Sequence, residues 1–189
     1  ADVTLDVGVD ALSGLTSADA AALKADGIDQ VTLDLANQSA LDALFAADGS
    51  LSSPALSNEL GNLQSVFGGV ALDVGRGGSV SLTDAEVQTL IADGLHFAAQ
   101  DQVTLDASST HLKTSLADLQ KLGVDQVALT GDALSSGLEV SLGHETLDAA
   151  VTAGLPEFGH LDNKGDFVAG GADVTLDVGV DALSGLTSA

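Results

Sequence analysis

The sequence predicts an α/β protein built as an open, solenoid-like repeat of parallel strands, with helices mainly on one face of the sheet. Three observations predict it. Residues 1–18, ADVTLDVGVDALSGLTSA, recur letter for letter as residues 172–189, and this offset of 171 residues indicates a tandem array. Strand-like and helix-like stretches alternate, which is typical of parallel strands joined by helical crossovers. Apolar and polar residues alternate within the strands, as expected when only one sheet face is covered.

The predicted strands are short stretches with a two-residue period. In the first of them Val3, Leu5 and Val7 point to one side of the sheet, whereas Thr4 and Asp6 point to the other. A DQV core followed by alternating residues begins at positions 29, 101 and 125. The predicted strands are 3–8, 27–35, 70–75, 101–107, 123–131, 138–143 and 174–179.

The predicted helices place Ala and Leu three and four residues apart. They are 17–26, 39–47, 54–66, 83–93, 115–122 and 144–153. Ser17 and Ser115 are the expected N-caps, and Thr83 with Glu86 has the pattern of a capping box. A glycine followed by an apolar residue ends four of the helices, the pattern of a Schellman motif. These glycines are Gly27, Gly94, Gly123 and Gly154.

The exact recurrence defines the domain organisation. Residues 1–171 form one period, and residues 172–189 begin the next. The spacing of the strands is uneven, unlike that of a regular leucine-rich repeat. A string of globular α/β domains in tandem is therefore the alternative to a solenoid.

Composition excludes several classes of protein. The chain has 28 Asp and Glu against 5 Lys and Arg, a formal charge of −23, and only 5 Phe as aromatic residues, so we expect no nucleic-acid partner. The absence of cysteine excludes disulfides, thiolate nucleophiles and zinc-thiolate sites. No apolar stretch approaches about 18 residues, so we expect no membrane insertion. Because methionine and a signal-peptide pattern are both missing, we expect the chain to be an excerpt.

The stretch VSLTDAEVQTLIADGLHFAAQDQVTLDASSTHLKTSLADLQKLGVDQVALTGD, residues 80–132, resembles the Ala-, Asp- and Leu-rich helix-strand repeats of giant secreted bacterial surface proteins. These are type I secreted, adhesin-like or fibre-forming proteins. The resemblance implies an extracellular or cell-surface location and a structural or adhesive role. One feature departs from the calcium-binding repeats-in-toxin motif G-G-x-G-x-D, because Gly170, Gly171, Ala172 and Asp173 do not fit its third glycine.

Aspartates occupy the same place in several predicted strands. If these strands stacked in register, the carboxylates would form a ladder at about 4.8 Å spacing, which calcium could bridge. The alternative is that the carboxylates simply project into water. A second acidic group, Asp162 and Asp166, lies in the loop LDNKGD, where a plain turn is the alternative to a metal site. The ladder candidates are Asp6, Asp34, Asp73, Asp106 and Asp177.

No catalytic constellation is present in the sequence. The four histidines do not have the spacing of paired metal ligands on a helix, and no G-x-S-x-G nucleophile elbow occurs. The glycine-rich stretch 68–78 fits neither a dinucleotide nor a phosphate-loop motif and predicts a tight turn instead. We therefore expect a protein that is not an enzyme and that holds no catalytic cofactor.

The functional expectation is a structural repeat unit of a long extracellular bacterial surface protein. Its partner would be itself, either the adjacent repeat of one chain or another chain joined by strand addition, giving a fibre or coat for adhesion or biofilm cohesion. The alternative is a tandem ligand-binding adhesin domain that recognises glycans or a surface protein. The predicted assembly junction consists of the apolar positions of the recurring strand, Val3, Leu5 and Val7 with Val174, Leu176 and Val178.

Overall fold

A computed structural model describes residues 2–75, 77–109, 111–112, 114, 116–130, 132, 138–143, 159–161, 167–169 and 174–178. The chain divides into two compact units. The first comprises residues 1–80 and 85–102, and the second comprises residues 81–84 and 103–189. Both contain parallel strands, and helices lie between several of the strands along the chain, so the predicted α/β class is confirmed.

In chain order the described residues form β1 Thr4–Gly8, a 3₁₀ turn Val9–Leu12, α1 Ser17–Ala25, β2 Gln30–Asp34, α2 Gln38–Asp42, α3 Pro54–Phe67, β3 Val70–Asp73, β4 Ser79–Thr83, α4 Asp84–Ala92, β5 Leu95–Phe97, β6 Gln102–Ala107, β7 His111–Leu112, α5 Leu116–Leu122, β8 Gln126–Leu129, β9 Leu138–Gly143, β10 Gly159–Leu161, β11 Phe167–Ala169 and β12 Val174–Val178.

The sheet of the first unit has its strands in chain order, β1-β2-β3-β5, and all of its pairs are parallel. The alternation in the sequence becomes an alternation in burial. Val31 and Leu33 on β2 and Leu72 on β3 are buried, whereas Asp34 is exposed and Thr32 is half-buried. Helices α1 and α3 pack against each other, and α3 also contacts β2 and β3. One face of this sheet therefore carries the core, and the other carries polar side chains.

The ends of α1 and α5 follow the predicted pattern. Gly27 has a φ of 91° and Gly123 a φ of 93°, values that favour glycine because a Cβ is strained there. The Ile28 N–H donates to the Leu23 carbonyl (3.2 Å), which closes the Schellman turn after α1. The equivalent bond after α5, from the Val124 N–H to the carbonyl five residues earlier, is 3.0 Å long. The sequence GIDQV or GVDQV thus ends a helix and starts the next strand.

The predicted N-cap of α1 was wrong by one residue. Ser17 is the first helical residue, and Thr16 is the N-cap. The Thr16 hydroxyl accepts from the Asp19 N–H (3.2 Å), and the Asp19 carboxylate accepts from the Thr16 N–H (2.9 Å). This reciprocal capping box stabilises Thr16 as the boundary residue because it satisfies two N–H groups that Ser17 could not satisfy together.

The second unit contains one sheet of order β4-β6-β8 and another of order β12-β9-β7. The boundary between the two units falls within β4, after residue 80. The pairs β6–β8, β7–β9 and β12–β9 are parallel. Strands β10 and β11 form an antiparallel pair that the alternation of helix and strand did not predict. On β6 the apolar residues Val103 and Leu105 are fully buried, and Thr104 between them is half-buried.

The predicted helix 39–47 is much shorter in the structure. Helix α2 ends at Asp42, and the following residues form a turn closed by a bridge between Phe45 and Leu51. The Asp48 carboxylate accepts hydrogen bonds from the Ser50 N–H (3.0 Å) and hydroxyl (2.6 Å). These local bonds give the backbone a better alternative than another helical turn. The predicted helix 144–153, Ser115 and Gly154 lie outside the described residues.

In the part of the chain that the structure describes, the longest helix is α3, and no helix is long and apolar enough to cross a membrane.

Candidate functional site

Two of the three DQV cores, those that begin at Asp29 and Asp125, perform the same structural task. The Val3 N–H donates to Asp29 Oδ2 (2.9 Å), and the Asp29 N–H donates to the Val3 carbonyl (2.8 Å). The same pair of bonds, 2.9 Å each, joins Val103 to Asp125. We call each arrangement a strand clamp. In both, the aspartate that precedes one strand holds the start of the preceding strand.

The strand clamp also sets the register of the neighbouring strands. It holds Val3 beside Asp29, so Thr4 lies opposite Gln30 and Asp6 lies opposite Thr32. Aligning the two VTLD sequences would instead have placed Asp6 opposite Asp34. The second clamp has the same effect, because Thr104 lies opposite Gln126. A shift of two residues keeps each side chain on its face of the sheet but moves the aspartates out of line.

The register therefore brings together only some of the candidate ladder aspartates. Asp34 on β2 and Asp73 on β3 are direct partners. Asp106 lies opposite Ala128, and Asp177 lies opposite Ser141, so neither faces another aspartate in these strand pairs. The structure does not describe Asp162 and Asp166. Within the described ranges, no group of three or more His, Asp or Glu residues is arranged to hold a metal ion. Calcium binding stays a prediction.

The polar face of the first sheet contains an open recess of about 480 Å³. Asp73 is its best anchored carboxylate, since Oδ1 accepts from the Gly75 N–H (2.8 Å) and Oδ2 accepts from the Gln100 amide (2.9 Å). The glycine-rich stretch after β3 forms a tight turn, as predicted, with Gly75 at a φ of 80°. The recess is lined by Asp6, Thr32, Asp34, Asp73, Gly75 and Gln100.

Exposed carboxylates dominate the electrostatics of the described residues of the first unit, and Lys24 forms an ion pair with one of them. Lys24 lies 3.9 Å from Asp29, and both side chains are nearly half exposed. Hydrogen bonds from Thr16 hold the pKa of Asp19 below its usual range, and bonds from Ser50 lower the pKa of Asp48 in the same way. Partial burial raises the pKa of Asp93. These shifts belong to caps and turns rather than to a catalytic group.

Among the described residues, the strands β1 and β12 of the two copies each lie at the end of a sheet. β1 is the first strand of the order β1-β2-β3-β5, and β12 is the first of the order β12-β9-β7. β1 pairs in parallel with β2, the strand that follows it in the chain. β12 pairs in parallel with β9, which precedes it. The same five letters, VTLDV, are thus seen with two different neighbours.

The structure locates the predicted junction residues on these two strands. Leu5 and Val7 are half-buried on β1, and Val3, just before the strand, is 46% exposed and held by the clamp. Val174 lies opposite Leu138, Leu176 opposite Val140, and Val178 opposite Gly143 after a register shift. Sequence reasoning noticed the DQV core but missed its role as a clamp. The available signal was the aspartate that directly precedes each of these strands.

Comparison of the chain with protein-family models, with characterised proteins and with solved structures gives no match in any of the three.

Proposed function

We propose that this chain is a structural, non-catalytic repeat unit of a long extracellular bacterial surface protein, and that its 171-residue periods join into a fibre or coat used in adhesion or biofilm cohesion. The observation that carries the proposal is the recurrence of residues 1–18 at 172–189, together with the position of β1 and β12 at the ends of their sheets among the described strands. An edge strand has unpaired N–H and C=O groups and can continue a sheet.

The architecture of the first unit supports a repeat that extends in one direction. Its strands follow one another in chain order, and their apolar side chains are buried on one face. A solenoid has this order, because each added strand and helix pair contacts only its neighbours. The open-repeat architecture of the whole period is part of this proposal.

The charge of the chain is compatible with an extracellular polymer. A formal charge of −23 opposes nonspecific clumping of periods, and the lack of cysteine prevents crosslinking through thiols. Divalent cations bind carboxylate oxygens, so we expect them to change how strongly these acidic periods associate. In this proposal calcium would screen or bridge periods rather than serve as a cofactor.

The test compares chains of one, two and three periods by small-angle X-ray scattering and electron microscopy, each with calcium and with a chelator. The proposal expects rods of constant cross-section whose length grows by an equal increment with each period. Separate globular particles on a flexible string in both conditions would contradict it. Rods that require calcium would support the fibre and add an ion dependence.

The recess on the polar face supports a second candidate function. An adhesin domain that binds a glycan or a surface protein would present hydrogen-bonding groups such as Asp73 and Gln100 on an open surface. This candidate predicts that Asp73→Ala and Gln100→Ala abolish binding to the cell-surface target and leave rod formation unchanged. Unchanged surface binding by both variants would contradict it.

A further inference from the structure

We propose that VTLDV is a shared strand: on one edge it pairs with β2 of its own period, and on the other edge it pairs with β9 of another copy of this chain, either the preceding period or a separate molecule. This inference rests on the proposed function and names the partner strand and its register. The occupant of the open edge of β1 is then Leu138–Gly143 of a second copy.

One edge of β1 is already used by β2. The Val3 carbonyl accepts from the Asp29 N–H (2.8 Å) and from the Gln30 N–H (3.3 Å), so the backbone groups of Val3 face β2. Backbone groups alternate in direction along a strand, so those of Thr4 and Asp6 face the opposite edge. No strand among the described residues pairs with that edge.

The neighbour of the open edge can be identified because the same sequence occurs twice. In the C-terminal copy, Thr175 lies opposite Glu139, Leu176 opposite Val140 and Asp177 opposite Ser141. Residues 172–189 repeat residues 1–18, so β12 has the same sequence as β1. The pairing of β12 with β9 therefore shows, within one chain, how a strand of this sequence pairs with β9.

Transferred by the offset of 171 residues, this register is electrostatically acceptable for β1. Thr4 would lie opposite Glu139, and Asp6 would lie opposite Ser141. Neither pair puts like charges directly opposite each other, an arrangement that would destabilise a sheet. Within these two strands the condition excludes the register that would place Asp6 opposite Glu139.

The order of the strands explains how one segment can take both neighbours. Crossovers between parallel strands are right-handed in nearly all proteins, so successive strands progress in one direction across a sheet when their crossovers lie on the same face. A strand in such a sheet has its predecessor on one edge and its successor on the other. β9 precedes β12, and β2 follows β1, so for helices on one face this rule assigns the two pairings to different edges of VTLDV.

In the 189-residue chain, β12 occupies β9 and competes with β1 of any second molecule. The competition is intramolecular, with an effective concentration of about millimolar order for a short connection. Vacating β9 should therefore uncover the site. Proline at position 175 does this, because Thr175 corresponds to Thr4, whose backbone groups face the edge that would pair with β9, so the substitution removes a ladder donor.

The experiment uses full-length chains with single introduced cysteines, which are unambiguous because the chain has none. One molecule carries Thr4→Cys, and the other carries Glu139→Cys with Thr175→Pro. The matched control replaces Thr4→Cys by Gln30→Cys, which lies on β2, across β1 from the open edge. We expect at least about tenfold more crosslinked dimer with Thr4→Cys than with the control, since paired strands bring the two Cα atoms within disulfide reach.

A second measurement covers the case in which Thr175→Pro prevents folding. A synthetic peptide of residues 1–18 with cysteine at position 4 is incubated with the Glu139→Cys chain, whose β12 is unchanged. Crosslinking that saturates near millimolar peptide would support the shared strand. Equal crosslinking of the Thr4 and Gln30 positions, or no crosslinking to either chain or peptide, would overturn it.

The outcome also separates this inference from the proposed function. Rods without Thr4–Glu139 crosslinks would leave the fibre intact and refute β9 as the partner strand. Crosslinks without rods would establish the strand pairing and refute the fibre.

Discussion

Replacing Asp29 by Ala tests whether the strand clamp holds β1. The change removes the acceptor of the Val3 N–H (2.9 Å) but keeps the backbone bond from the Asp29 N–H to the Val3 carbonyl. One hydrogen bond contributes a net of about 0.5–1.5 kcal/mol. The ion pair with Lys24, at 3.9 Å between nearly half-exposed side chains, adds only a few tenths of a kcal/mol. We expect Asp29→Ala to lower the free energy of unfolding by about 1 kcal/mol.

The assay is urea unfolding followed by far-ultraviolet circular dichroism, because the chain has neither Trp nor Tyr for fluorescence. Asp2→Ala is the matched control, since it removes an equally exposed carboxylate and leaves the clamp intact. Asp29→Asn retains an oxygen acceptor and should lose less than half as much stability. Asp125→Ala breaks the equivalent bond in the second unit and should cost at least as much, because that bond is partly buried. Equal stability of Asp29→Ala and Asp2→Ala would refute the clamp as a stabilising device.

Three further predictions concern turns, charges and pH. Gly27→Ala should destabilise the protein by about 1–2 kcal/mol in thermal unfolding because the φ of Gly27 is positive, whereas Gly61→Ala inside α3 should stabilise it by about 0.5–1 kcal/mol. Neither added Cβ would meet an atom within 4 Å, so two effects of the same sign would contradict a backbone-conformational origin. Asp34→Asn should raise stability by about 0.2–1 kcal/mol at low salt and by less at high salt, because it removes the like charge directly opposite Asp73. If calcium bridges Asp34 and Asp73, Asp34→Asn should instead lower stability when calcium is added. Asp19→Ala should lower stability at neutral pH but not in acid, because the bonds from Thr16 lower the folded-state pKa of Asp19 and their contribution is lost as pH falls through that pKa. If the urea midpoints of Asp19→Ala and the unsubstituted chain differ equally at both pH values, this prediction is wrong.

Much of the fold could be predicted because its signals are local. Helix α3 begins at Pro54 after the Ser53 cap and ends at Gly68, and all three of these signals are readable in the sequence. The capping box of α1 is readable too, since Thr16 and Asp19 have the required spacing, but the neighbouring Ser17 is an equally favourable N-cap type. Short strands such as β5 and β7 have too few residues to show a period.

The acidic site could be predicted only in part, because strand register is not a local property. The sequence shows that Asp6, Asp34 and Asp73 follow similar apolar residues, which suggests one continuous ladder. The clamp between Val3 and Asp29 shifts β1 by two residues against β2, whereas β2 and β3 pair without such a shift. A hydrogen bond between residues 26 positions apart thus decides which carboxylates meet.

The most direct test of the account is amide hydrogen exchange, measured by NMR, in chains of one and two periods. Adding the second period should protect those amides of Thr175, Leu176 and Asp177 that exchange rapidly in the one-period chain, slowing them at least about tenfold. The identical β1 strand in the same molecule is the internal control, because its open edge is unchanged. A strand with a neighbour on only one edge has every second amide protected. If this pattern persists for residues 175–177 in the two-period chain, the sheet does not continue across the period boundary.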